Sequence, residues 1–360
     1  MLDTATGPVF ISLRGLHPAL FENGVSDDAV AHHTQIGRGS MDGELGIIPL
    51  NAGTVHTCHH TVTIRTQGQF GNSFVSVFIG LDVPSPTRIL GQPAGRDTIL
   101  VCNPRSVVDN LDGAGLSWAS LSFPTVEFER AYHSLTHDQW SVHAPPMVIR
   151  HPNPHAVASL RVTLTSLVAI ARHQPALLLD PRWRANAEAG LQSAFLAAVI
   201  GTPAHHPTIV ATTHRSRDII DAVDAHLNTP GLGIVAVSEL CDVAGTPRRT
   251  LERVFHDTFA MGPAEYARRR ALNAVRRALL DENDDAQSVT EVAIAHGFWH
   301  LGRFSQQYRS LFGELPSQTI RHRRRAKSND VARFVATLSR FDSKNKKGRV
   351  ATQHVAYGLS

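Results

Sequence analysis

The chain has 360 residues, enough for two domains at roughly 100–200 residues each. Hydrophobic residues make up 42% and charged residues 18%, with a net charge of +4, a balance that suits a globular protein with sizeable cores. No run of 18 uninterrupted apolar residues suggests a membrane span, and MLDTATGPVF lacks the basic region of a signal peptide. Cys58, Cys102 and Cys241 are too scattered for a disulfide framework or a four-ligand zinc module, so a reducing cytoplasm is expected.

Residues 1–150 read as strand-rich. Gly53–Thr66 and Phe74–Val83 mix Val, Ile, Phe and Thr in partial alternation, and Gly, Asn and Asp turns such as 67–72 and 110–115 separate them. Short strands at this spacing predict a small barrel or sandwich. From about Pro154 the texture turns apolar and alanine-rich, and His155–Arg172 and Trp183–Ile200 read as helices in a flanking segment, 151–207. Its end, Gly201–Pro207, is rich in breakers and reads as a linker. Residues 210–326 read as short helices, with Pro263–Leu280 as one longer helix carrying Tyr266, Leu272, Val275 and Leu279 inside and its arginines outside. A basic tail, 327–360, includes one potential helix near Val331–Phe341. The fold class is therefore an α+β multidomain chain: a β domain with flanking helices, then an all-α domain.

Charge is unevenly placed: 1–215 carries −2, 216–325 carries +1 and 326–360 carries +5. All 15 cations of 216–325 are arginines, bunched as 248–249, 268–270, 276–277 and 323–325. For nucleic-acid binding such clustering on one face matters more than the total.

An internal repeat organises that region. Val237, Leu240, Cys241 and Ala244 fall on one helix face, and Val289, Val292, Ala293 and His296 repeat the pattern 52 residues later. Glycine follows each time, Gly245 and Gly297, where a sharp turn costs little. A second helix follows each turn, with Leu251, Phe255 and Phe259 answered by Phe304, Tyr308 and Phe312, and Pro263 and Pro316 close the two units. This is the outline of a duplicated helix-turn-helix. Ser288–Glu291 predicts a capping box, and Thr246 before Pro247 predicts an N-cap.

Once the core positions are removed, Arg248, Arg249, Glu252, Arg253 and His256 remain on the first second-helix, and Arg303, Gln306, Gln307 and Ser310 on the other. Arginine and glutamine make bidentate contacts to guanine and adenine edges in the major groove. Two such helices roughly 34 Å apart reach successive major grooves. For any one of these residues a plain solvated face is the simpler reading; matched faces in a repeated unit favour DNA. Arg268–Arg270, Arg276 and Arg277 suit phosphate contact and helix solubilisation equally, and Lys344, Lys346 and Lys347 suit a solubilising end.

In these residues the chain resembles the AraC/XylS family of transcription regulators over about 110 positions. The resemblance runs through Glu239-Leu240-Cys241 and Arg248–Phe255, then Val289–Ala293, Gly297-Phe298, Phe304, Tyr308, Phe312-Gly313 and Pro316-Ser317. It implies base-facing positions at Arg248, Arg249, Glu252 and Arg253, then at His300, Leu301, Gly302, Arg303 and Gln306. The sequence departs from the family at Pro247, which displaces the usual capping serine, and at Gly302, a poor helix former. Trp299, His300 and Leu301 are large for the turn and read as packing residues. The resemblance further implies a cupin-like effector-binding barrel in 1–150 and a homodimer formed through roughly 155–200. Double-stranded promoter DNA, a small-molecule effector and RNA polymerase are the implied partners, with a cytoplasmic, nucleoid-associated location in a bacterium. No membrane, cofactor, metal or enzymatic activity is implied.

Two other classes compete. A helix-turn-helix region also serves protein partners. His56-Thr57-Cys58-His59-His60 offers metal ligands, with His32 or His33 within a barrel's reach, but on a strand only His56, Cys58 and His60 share a face, and no acid follows before Asp82. A DNA-repair methyltransferase fused to such a domain is disfavoured by the cysteine count. His17, Arg38 and Trp118 read as core or surface before pocket.

Overall fold

The computed structural model describes residues 7–13, 30–140, 146–149, 153–200, 208–209, 214–229, 232–280 and 288–326. The predicted linker 201–207, His17, the Val331–Phe341 helix and the lysines of the tail lie outside them.

Two antiparallel sheets build the N-terminal half. The larger comprises β1 (Val9–Leu13), β3 (Gly43–Pro49), β4 (Thr54–His60), β6 (Phe74–Asp82), β9 (Ile99–Cys102), β11 (Ser117–Pro124), β12 (Met147–Ile149) and β13 (Thr208–Ile209), in the order β1-β3-β4-β11-β6-β9-β12-β13. The smaller comprises β2 (Val30–Gln35), β5 (Ile64–Gln69), β7 (Thr87–Ile89), β8 (Gln92–Ala94) and β10 (Val107–Asp112), in the order β2-β5-β10-β7-β8. The segment Gly53–Thr66, which reads as one strand region, is two: the chain turns between His60 and Ile64, and β4 and β5 enter different sheets.

Alternation gives each sheet two jobs. Val55, Val75, Val77, Ile99, Val101 and Leu121 of the large sheet pack outward against α2 (Pro154–His173) and α3 (Pro181–Ile200). These helices answer with Val157, Leu160, Leu164 and Leu167, and with Leu191, Phe195 and Leu196. Each such fully buried side chain contributes roughly 1.5–3 kcal/mol. Asn153 caps α2 by accepting from the His155 and Ala156 N–H groups, and the Glu188 carboxylate on α3 accepts from the N–H groups of Asn51, Ala52 and Gly53. The helix α2 is long and apolar enough to cross a membrane by length and composition alone; its buried row faces the sheet. A shorter helix, α1 (Thr125–Thr136), extends β11.

The C-terminal half is helical: α4 (His214–Leu227), α5 (Val237–Val243), α6 (Arg248–Phe259), α7 (Pro263–Leu280), α8 (Val289–Ala295), α9 (Leu301–Phe312) and α10 (Pro316–Ala326). Its two cores sit at either end of α7. Tyr266 and Ala267 join Leu240, Leu251, Phe255 and Phe259, while Leu272, Val275 and Leu279 join Val292, Phe304, Tyr308 and Phe312. The predicted long helix thus has the expected inner residues, with one correction: Arg276 is also inside. It is buried, bonded to Glu314 at 2.9 Å, with its guanidinium 4.6 Å from the Phe312 ring centroid, so its charge serves the fold and not a phosphate.

Candidate functional site

Each repeat is a helix, a glycine turn and a second helix, as the spacing predicts. Gly245 (φ +55°) joins α5 to α6, and Gly297 (φ +82°) leads from α8 towards α9. Only at Gly297 does the chain also crowd: a Cβ there meets the Ile234 N at 2.6 Å and Gly233 Cα at 2.8 Å. The capping box of α8 forms, the Ser288 hydroxyl accepting from the Glu291 N–H and the Glu291 carboxylate from the Ser288 N–H. The N-cap expected from Thr246 does not: Pro247 is the capping residue of α6, and the buried Thr246 hydroxyl makes no hydrogen bond there. A proline inserted after the threonine moves the hydroxyl one position too far back to reach the first turn.

The face of α6 turned away from Leu251, Val254 and Phe255 exposes Arg248, Arg249, Arg253 and His256, with Glu252 half-buried. Arg248 pairs with Glu252 at 2.8 Å and Arg253 with Asp257 at 3.5 Å, exposed contacts that a stronger anion displaces at little cost. On α9 the structure exposes His300, Arg303, Gln306 and Ser310, while Gln307 is half-buried. Gln306, Gln307 and Ser310 line a cleft with Arg38, Glu265, Arg268 and Arg269, so this part of the helix faces its neighbours as well as solvent. Trp299, expected to pack, is 73% exposed, and His300 and Leu301 are exposed beside it. The positions behind them are already filled by Phe298 and Phe304, whose tilted rings lie 5.0 Å apart.

The arginines of α7 go elsewhere than expected. Arg269 donates to the Ile36 carbonyl and pairs with Glu265, Arg270 donates to the Thr34 hydroxyl at 2.8 Å, and Arg268 pairs with Glu265 at 2.8 Å. Two of the three therefore dock the β domain. The junction continues through Asn273, whose side chain accepts from the Gln35 N–H and donates to the Gln35 carbonyl, both at 3.0 Å. The Gln35 amide in turn donates to the Leu311 carbonyl at the end of α9 at 2.7 Å. At its centre Arg65, 1% exposed, makes a paired contact with Asp109 at 2.8 and 2.6 Å, meets Asp224 on α4 at 2.6 Å and bonds the Tyr266 hydroxyl.

Between the two sheets lies a cavity of about 160 Å³. Alternation along β4 turns His56, Cys58 and His60 into it and leaves His59 exposed, as the pattern predicts. From the small sheet His33, Thr66, Asn110 and Asp112 face it, with Trp118 on β11 and Phe78 on β6 as apolar walls. Trp118 is therefore a lining residue, not a plain core one. Arg38 is exposed and near Glu265, outside this space. Burial holds the imidazoles of His33, His56 and His60 down at about 4, so they are neutral at pH 7. Burial also raises the Asp112 carboxyl to about 6, against a hydrogen bond from Thr66. Among the described residues no group of three or more His, Cys, Asp or Glu side chains converges to hold a metal ion.

Sequence reasoning missed Arg65, Asp224 and Asp112. Arg65 alternates with Ile64 and Thr66 and so reads as a solvent-facing strand residue; only the docking of α4 and α7 covers it.

Residues 240–322 match the family model described as a helix-turn-helix domain. Over 90 residues, a quarter of this chain, the sequence is 41% identical to the XylDLEGF operon transcriptional activator 1 of Pseudomonas putida, and the match spans 27% of that relative's length. A longer alignment to a Pseudomonas putida activator of the same name runs at 27% identity over 226 residues, 62% of this chain and 66% of that one. Among solved structures, the AraC-like transcriptional activator CuxR is 12% identical over 79% of this chain and 99% of its own, with a TM-score of 0.37. Residues 240–322 thus belong to a helix-turn-helix domain, and within it the helix–turn–helix unit occurs twice, as α5–α6 and α8–α9.

Proposed function

We propose that the protein is a transcription regulator that reads double-stranded promoter DNA with α6 and α9 and answers to a small-molecule effector in the cavity between its sheets. The observation that carries this is the pair of repeated units whose second helices bury one aromatic face and present arginine and other polar side chains, most of them exposed, on the other. In this reading Arg248, Arg249, Glu252 and Arg253 of α6 act at one major groove, and His300, Arg303, Gln306 and Gln307 act at the next. Arg and Gln there carry sequence preference through base edges. The exposed Trp299 and Leu301 add apolar surface at the head of α9, suited to thymine methyl groups. The partner-protein alternative has no such specific support.

The proposed division is an effector-binding β domain in 1–150, a dimerisation and linker region in 151–207, the DNA-binding domain in 210–326 and a basic tail in 327–360. A homodimer forms through α2 and α3, where Val162 is exposed. The P. putida relatives are called transcriptional activators; activation by this chain, with RNA polymerase as a further partner in the cytoplasm, extends that reading. Selection of bound sequences from a random duplex pool by the full-length chain tests it. Enrichment of a motif with two half-sites about one helical turn apart is the expected outcome, and retention of no sequence over any other defeats the proposal.

A further inference from the structure

The cavity's polar atoms specify the ligand more closely than its position does; this inference rests on the effector reading above. The Nδ1 of His60 lies 2.8 Å from the Val62 carbonyl, which only accepts, so Nδ1 carries the proton. Burial keeps the ring neutral, which leaves Nε2 as a bare lone pair. His60 lines the cavity, and this atom, enclosed on a side chain 2% exposed, has no hydrogen-bond partner among the described residues. The His56 Nδ1, four residues along the same strand face, is likewise enclosed without a partner. A buried acceptor left unmatched costs about 1–3 kcal/mol, so a ligand that supplies a donor recovers it.

Three further features fix the rest of the molecule. No Arg or Lys is among the described residues that line the space, so a carboxylate entering it would lose its hydration with no fixed countercharge from them. The walls away from His60 are apolar: Phe70, Phe78, Leu100 and Val108 form one cluster, and Trp118 stands 5.6 Å from Phe78. The volume of about 160 Å³ is close to that of an apolar cavity that takes up benzene, about 150 Å³. We infer that the cavity takes an uncharged, single-ring, mostly apolar compound whose hydroxyl donates to Nε2 of His60 while its ring lies against Phe78 and Trp118. An alkylphenol is the simplest member of this class.

The test uses isothermal titration of the full-length protein at pH 7.5 with three matched probes. These are 4-ethylphenol, its methyl ether 4-ethylanisole, which accepts but cannot donate, and 4-ethylbenzoate, which is anionic. The phenol is expected to bind at least tenfold more tightly than either of the others. His60→Leu is expected to abolish that preference, and His60→Gln, which restores an acceptor, to recover part of it; a folded His60→Gln keeps the test valid where His60→Leu does not fold. Equal binding of phenol and ether, or tighter binding of the benzoate, overturns the donor inference while leaving an effector pocket in place. No heat from any of the three overturns the inference and removes the support of the cavity for the effector reading itself.

Discussion

The Arg65 guanidinium of β5 meets the Asp224 carboxylate of α4 at 2.6 Å, across 159 positions of sequence, with both groups buried. The contact joins the outer face of the small sheet to α4, which packs on the first helix-turn-helix unit, and the Gln35 amide reaches Leu311 of the second unit from the same sheet. The inner faces of the same strands line the cavity through His33, Thr66 and Asp112. One layer of backbone therefore separates ligand contacts from DNA-domain contacts.

Arg65→Ala leaves Asp109, and the buried Asp224 carboxylate to which the Tyr266 hydroxyl still donates, without their cation. Removing one partner of a buried pair costs about 3–5 kcal/mol. The expected result in urea denaturation is a loss of that size, partly recovered by combining Arg65→Met with Asp224→Leu. A loss under 1 kcal/mol for Arg65→Ala contradicts the buried network.

The two turn glycines separate strain from crowding. Gly245→Ala meets only the left-handed backbone, because no atom lies within 4 Å of its Cβ position. Its expected cost is about 1–2 kcal/mol. Gly297→Ala adds a clash with the backbone of 233–234 and is expected to lower stability further than Gly245→Ala in the same thermal melt. The reverse order refutes the described packing.

Arginines on the two faces are expected to behave differently. Arg253→Ala and Arg303→Ala each weaken specific DNA binding by about 1–3 kcal/mol if they read bases, with little change in melting temperature. Arg276→Ala lowers stability first, because it removes a buried guanidinium packed on Phe312 and paired with Glu314 in the second core. Gel shifts beside thermal melts distinguish these patterns; loss of stability without loss of specific affinity at Arg253 excludes it from the interface.

Acidification should unfold the β domain. Burial places the folded-state values of His33, His56 and His60 at about 4, below the ordinary 6.5. Between pH 6.5 and 4 the unfolded chain binds protons that the folded chain refuses, so stability falls as pH falls, by on the order of 3 kcal/mol per histidine. Asp112 acts in the opposite direction: raised by burial to about 6 from 3.8, it stabilises below pH 4 and loses that effect as pH rises through 6. Three histidines outweigh one aspartate, so the melting temperature is expected to drop between pH 6.5 and 4.5. A flat or rising profile rules out neutral, buried imidazoles.

The helical third was legible because its signals are local. The offset of 52–53 residues between Leu240 and Val292 and between Phe255 and Tyr308 records a duplicated core, and the Ser288–Glu291 box marks its second start. The facing of His56, Cys58 and His60 followed from strand alternation alone. The cavity was not legible, because it needs the small sheet to bring Thr66 and Asp112 opposite β4. Nor were the roles of Arg276, Arg269 and Arg270: neighbouring arginines read alike in sequence, and only the docked sheet and Glu314 tell them apart. Trp299 was misread because large apolar residues are usually packed, and here Phe298 and Phe304 already fill the site.

The most direct measurement is a hydroxyl-radical footprint of the full-length protein on a sequence selected by it, repeated across a salt series. Two protected segments centred about one helical turn apart on one face of the duplex are expected, with affinity falling steeply as salt rises. Arg253→Ala should remove one segment and Arg303→Ala the other. A single protected segment, or protection unchanged by both substitutions, contradicts the claim that α6 and α9 are the two reading helices.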